Sequence, residues 1–170
     1  VSVGIVTSVF LQLLSDGIPT FDGKEELVIE ALRRSASDLR GATTEEISAY
    51  IQAKDPSQLL GLQNNVKGIY HELRYADVEN SDNDEYVIEL FKATNHPGSD
   101  IIITNTITGE LKEVQLKATD YLSHIREHNE KYEDIGVFAT EEVASISEDI
   151  TSTGFTNKEL SEDVEMVVEK

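Results

Sequence analysis

The residues whose types and spacing invite chemistry lie in DIIITNTITGELKEVQLK, residues 100 to 117. Asp100 opens one β-branched run, and Glu113, Gln115 and Lys117 occupy alternate positions of the next. Side chains on a strand point alternately to its two faces. Val114 and Leu116 are therefore expected in the core, with Glu113, Gln115 and Lys117 on the opposite face. A turn at Thr108-Gly109 predicts that Asp100 and Lys117 lie at the same open end of the hairpin. Asp100 then offers a hard oxygen to Mg²⁺ or Mn²⁺, Gln115 a neutral carboxamide oxygen and Leu116 its backbone carbonyl. Lys117 would orient or help deprotonate an attacking water and stabilise charge developing on a phosphate. The chemistry such a set suits is metal-assisted phosphodiester hydrolysis. Glu113 lies farther from the open end and is an accessory candidate.

The elements that must position these groups are written in the flanking pattern. Gly23 to Arg34 carries apolar residues at helical spacing, with acids leading and arginines trailing as the helix dipole favours. Thr43 and Glu46 form a capping box that opens a helix through Gln52. Asp55-Pro56 starts a longer helix to about Ala76, with Leu59, Leu62, Val66, Ile69 and Leu73 on one face. Gly68 in its middle suggests close approach to a sheet or substrate. Strands follow over Tyr86–Lys92, Ile101–Ile103 and Leu111–Ala118, then a helix over Asp120–Lys131, a strand over Ile135–Ala139 and a last helix from about Asn157. This order predicts an α/β or α+β fold with a mixed sheet. Three segments are expected: a helical N-terminal appendage over 1–55, a core over 56–140 and an acidic C-terminal loop and helix over 141–170.

Composition sets limits on function. The 170 residues hold 33 acids against 14 bases, a formal charge of -19, and no cysteine. Disulfides and thiolate metal sites are excluded, and the lack of thiols fits a reducing, cytoplasmic compartment. The acidity opposes nucleic-acid binding, which draws on Lys and Arg. Acids crowd the last thirty residues, where Lys158 and Lys170 are the only bases. The apolar start, VSVGIVTSVFLQLL, is shorter than the ~20 residues of a membrane span. Beginning at Val suggests a processed product or a module of a longer chain, such as a delivered effector domain.

The combination of Asp100, Gln115 and Lys117 with this element order resembles the PD-(D/E)xK nuclease superfamily, the fold of restriction endonucleases. The family's helix, three strands, helix, strand matches residues 58 to 139. Its aspartate corresponds to Asp100 in Gly98-Ser99-Asp100, and its paired acid-or-glutamine and lysine to Gln115 and Lys117, the glutamine variant. Proline sits three residues before the aspartate, at Pro97. The resemblance further implies a metal-binding glutamate on the first core helix, matched by Glu72 in His71-Glu72-Leu73. It implies Mg²⁺ or Mn²⁺ as cofactor, held by Asp100, Gln115 and Glu72, and nucleic acid as substrate, DNA before RNA. A protein partner would then supply basic surface or inhibition. His71 and His96 flank the site and are accessory candidates for phosphate contact or proton transfer. His124 and His128, four apart, have zinc-like spacing but read as surface residues. The alternative is a silent module of the same fold, acting as an acidic protein-interaction domain or nucleic-acid mimic.

Overall fold

The expected capping box at Thr43 and a second one at Asp55, where only an N-cap was expected, organise the helical N-terminal part. Thr43 Oγ1 accepts from the Glu46 amide at 3.2 Å while Glu46 Oε2 accepts from the Thr43 amide at 2.8 Å. Asp55 and Gln58 repeat the arrangement at 2.9 and 3.1 Å. The computed structural model describes residue 13, residues 23–93 and residues 96–162. The apolar start up to residue 12, the break at 14–22, Asn95 of the second turn and residues 163–170 of the acidic tail lie outside them. The helices are α1 (Gly23–Ser35), α2 (Thr44–Gln52) and α3 (Pro56–Glu79), with a short 3₁₀ turn at Ser37–Leu39. Val28, Leu32, Ile47 and Ile51 are fully buried among them. Removing the first cap by Thr43→Ala is expected to cost about 1 kcal/mol, read as a lowered denaturant midpoint with an unchanged slope.

Beyond α3 come β1 (Tyr86–Leu90), β2 (Ile101–Asn105), β3 (Leu111–Lys117), α4 (Leu122–Lys131), β4 (Gly136–Ala139), α5 (Glu141–Ala144), β5 (Thr151–Ser152) and α6 (Asn157–Glu162). Among the described residues the strands form one sheet in the order β1-β2-β3-β4-β5. β1, β2 and β3 are antiparallel neighbours, whereas β4 and β5 join in parallel. This is an α+β architecture with a mixed sheet, as the sequence predicts. The chain divides into two compact units, one formed by the described residues up to Tyr70 with those from Leu160 and the other by His71–Glu159. That division falls inside α3, whereas the sequence reading places its boundary at residue 55 and sets the tail apart from 141. α5 and β5, too short to leave a periodic signature, belong to the sheet unit.

The sheet carries a different apolar cluster on each face. Tyr75 and Ala76 of α3 pack with Ile88, Ile101, Val114 and Leu116 on one face. On the other, Ile125 of α4 packs with Val137, Ala139 and Val143. Val114 and Leu116 thus turn inward as alternation requires. Register then fixes the remaining faces. Gln115 sits beside Val137 and Lys117 beside Ala139, so both share the α4 side of the sheet.

The hairpin register keeps Asp100 and Lys117 at the same end and fixes which residue faces Asp100. Ile101 pairs with Val114 and Thr104 with Leu111, which sets Asp100 directly opposite Gln115. The cause is the loop. Asn105 Oδ1 accepts from the amides of Ile107 and Thr108, both at 2.9 Å, and Gly109 adopts φ 74°. These hold Thr106–Gly109 as a four-residue connection, where a tighter turn at Thr108-Gly109 was expected.

The outer edge of β1 is closed by a side chain. Asn80 Nδ2 donates to the Ile88 carbonyl at 2.9 Å, and Asn80 Oδ1 accepts from the Ile88 amide at 2.8 Å.

Candidate active site

Asp100 is placed by a turn that only particular residues allow. Gly98 has φ 82°, and a Cβ there would come within 2.7 Å of the Tyr132 ring at the end of α4. The ring therefore closes over the turn that enters β2. Asp100 then donates its amide to the Val114 carbonyl at 3.0 Å, starting the ladder with β3.

Its carboxylate makes two contacts with the facing strand. Oδ2 accepts from the Leu116 amide at 2.8 Å and from the Gln115 carboxamide nitrogen. The same Gln115 nitrogen lies 3.3 Å from the Leu116 carbonyl, to which it also donates. Two oxygens that would suit a hard cation, Asp100 Oδ2 and Leu116 O, thus converge on one point. The N–H₂ group of Gln115 stands there, offering partial positive charge to both.

Electrostatics joins further groups to this point. Burial raises the Asp100 carboxyl above its ordinary value of 3.8, opposed by the Leu116 amide, the Lys117 ammonium and the Gln115 amide. Lys117 therefore acts on Asp100 without an ion pair. It also acts on His128, whose imidazole is held below its ordinary 6.5 by burial first and by Lys117 second. His128 is 7% exposed, with Nε2 buried and unpaired. The surface reading of His128 is thus wrong. It lies one turn after the buried Ile125 on the inward side of α4, while His124 is exposed and meets the Thr119 hydroxyl at 3.1 Å.

A carboxyl with a raised native pKa holds its proton more tightly when folded than when unfolded. Its favourable contribution is present below pH 3.8 and is lost as pH rises through the raised value. Asp100→Asn keeps an oxygen for the Leu116 amide and removes the titration. Wild-type protein is therefore expected to lose stability relative to Asp100→Asn between pH 3.5 and neutrality, in denaturant midpoints measured across that range. A difference that does not vary with pH would contradict the assignment.

The other candidates fall elsewhere. Glu113 is held by Ser99, whose hydroxyl donates to Glu113 Oε2 at 2.7 Å and faces His96 Nδ1 at 3.1 Å. His96 stacks on Phe91 with centroids 3.8 Å apart. These four form their own polar and aromatic cluster along the turn, and Ser99, 1% exposed, is its centre. The sequence signal for it was the serine between Gly98 and Asp100. His71 is 2% exposed and lies edge-on to Phe155. Glu72 is partly buried on α3, one turn before Ala76, and α3 packs on the sheet face opposite Gln115 and Lys117. Among the described residues no three His, Asp or Glu gather as a metal-binding group. Gly68 has open space where a Cβ would stand.

No family model, curated protein or solved structure matches the chain. Among the described residues no helix is long and apolar enough to cross a membrane.

Proposed function

We propose that the sheet unit is a metal-dependent nuclease of PD-(D/E)xK type, hydrolysing phosphodiester bonds of nucleic acid, DNA before RNA. The observation that carries this reading is the convergence of Asp100 Oδ2 and the Leu116 carbonyl on the Gln115 carboxamide. The element order from α3 to β4 and the mixed sheet support it. The donor set fits Mg²⁺ or Mn²⁺, which favour carboxylate and carbonyl oxygen. Asp100 and the Leu116 carbonyl would hold the ion, joined by Gln115, because a half-turn of the carboxamide exchanges its nitrogen for its oxygen. When bound, the ion would supply Lewis acidity and lower the pKa of a water.

The chain's own residues supply the rest. Lys117, acting on the same carboxylate, would place positive charge beside the phosphate as its negative charge grows. His128 is neutral at neutral pH because burial and Lys117 both disfavour its protonation. The charge of -19 leaves phosphate affinity to a basic partner or a basic segment outside this chain, acting over the range that salt permits.

Gln115→Glu tests the donor set. A second carboxylate is expected to tighten Mn²⁺ binding by about tenfold, measured by calorimetry, and to raise metal-dependent nicking of supercoiled plasmid at limiting Mn²⁺. Equal Mn²⁺ affinity in both proteins would remove Gln115 from the site.

A second reading has its own support. In the structure the Gln115 amide already satisfies Asp100, and an acidic surface suits basic proteins better than DNA. A catalytically silent interaction module would bind basic partners without metal and show no nicking under any divalent ion.

A further inference from the structure

The α3 side of the sheet holds a pocket of about 370 Å³ that lies apart from Asp100. Its floor is Ile88, Ile103 and Phe138, and Tyr75 of α3 forms a wall. Ile88 pairs with Ile103 and Ile103 with Lys112, so these residues share the face opposite Gln115 and Lys117. They also lie toward the Thr106–Gly109 loop, at the other end of the hairpin from Asp100. The volume falls in the range of small-molecule sites, which join an apolar floor to a few polar groups.

The polar groups are mostly of one sign. Glu79, Asp84 and Glu110 line the pocket against a single cation, Lys112. Glu79 is raised above its ordinary carboxyl value by burial, then by Asp82 and Asp84, with no cation among the causes. The Tyr75 phenol is also raised, by burial and then by Glu79, and so stays neutral. A negative potential is therefore left partly uncompensated over an aromatic and aliphatic floor.

Lys112 shows how the floor receives a cation. Its stem passes over Gly136, where a Cβ would stand 3.4 Å from Lys112 Cε. Its ammonium lies 5.4 Å from the Phe138 centroid, within the range of attraction between a cation and a ring face. An anion would meet the carboxylates, and a neutral ligand would leave them unmatched.

We propose that this pocket binds an organic cation with an apolar body, an ammonium, amidinium or guanidinium whose charge meets Glu79 and Glu110 and whose body rests on Ile88, Ile103 and Phe138. The cation shares the face of Phe138 with Lys112 or displaces it. The proposal is independent of the nuclease reading, and its test uses no cleavage.

The experiment follows benzamidinium titrated into the full chain by methyl and amide NMR, beside neutral benzamide, with a capped glycine-arginine-glycine peptide as a second cation. Saturable shifts are expected at Ile88 and Ile103, with benzamide at least about tenfold weaker. Glu110→Gln, at an exposed position, and Glu79→Gln are each expected to weaken the cation by about threefold to tenfold. Lys112→Met removes a competing charge and is expected to tighten it. Tighter binding of the peptide would identify a partner's basic side chain as the source, and tighter binding of benzamidinium a free small molecule. Equal binding of benzamide, loss of affinity in Lys112→Met, or shifts confined to residues away from Ile88 and Ile103 would overturn the proposal.

Discussion

Replacing Lys117 with methionine is expected to lower metal-dependent cleavage of plasmid by about 100-fold or more while leaving Mn²⁺ affinity within about twofold. The separation follows from where the charge sits. Lys117 acts on the Asp100 carboxyl through space, without taking either of the oxygens that converge on Gln115. Its ammonium would stabilise charge that grows only as the phosphate reacts, and lost groups of that kind cost about 10²–10³ in rate. Asp100→Ala should differ in kind, because it removes an oxygen donor and the acceptor for the Leu116 amide together. Cleavage and Mn²⁺ binding should then fall in parallel. Methionine keeps most of the lysine stem, so packing beside Ala139 is preserved and folding can be checked by the thermal midpoint. Equal nicking by wild type, Asp100→Ala and Lys117→Met would end the nuclease reading and leave the silent module.

The second large effect is on stability. Ile101→Ala is expected to cost about 3–4 kcal/mol, a large share of the 5–15 kcal/mol typical of a domain. Ile101 is fully buried and sits in the cluster of Tyr75, Ala76, Ile88, Val114 and Leu116. It also faces Val114 directly across the β2–β3 pair. Truncation opens a cavity between the sheet and α3 that a backbone pinned on both sides cannot close. Ile101→Val should cost only about 1 kcal/mol. Because Asp100 is the next residue in the chain, the alanine variant should lose cleavage even below its unfolding temperature, whereas the valine variant should retain it. A loss under 1 kcal/mol for alanine would show that this cluster does not hold the hairpin.

Much of this hairpin is legible from alternation. Val114 and Leu116 inward and Gln115 and Lys117 outward follow from a period of two, and the structure agrees. The register is less legible, because it depends on a side chain. Asn105 captures two loop amides and sets the pairing so that Asp100 meets Gln115. Nothing in the spacing distinguishes that loop from a tighter turn at Thr108-Gly109. The Thr43–Glu46 box and the Asp55 start are local and were readable, whereas the reciprocal bond to Gln58 was not expected.

The contribution of α3 is harder to read. Helical spacing puts Val66, Ile69 and Leu73 on one stripe, but which sheet face the helix covers depends on contacts between residues far apart in sequence. Tyr75 and Ala76 settle it, and they place the helix on the side away from Gln115 and Lys117. His128 eluded the sequence for a similar reason. A charged, polar helix such as LSHIREHNEK shows only Leu122 and Ile125 as apolar anchors, so the histidine one turn after Ile125 gives no sign of burial. The Ser99 cluster combines two turn residues, His96 and Ser99, with Glu113 from β3 and Phe91 just beyond the end of β1, and only folding brings them together.

The Asn80 clamp on Ile88 has a consequence for how copies of this protein meet. Among the described residues β1 ends the sheet, and an unpaired strand edge is a template on which another chain can add a strand. The carboxamide engages both backbone groups of Ile88 at the middle of that edge, much as a neighbouring strand would. An incoming strand would have to displace it before the ladder could extend. One asparagine at the end of α3 thus keeps this rim of the molecule from serving as a seed for sheet-to-sheet aggregation.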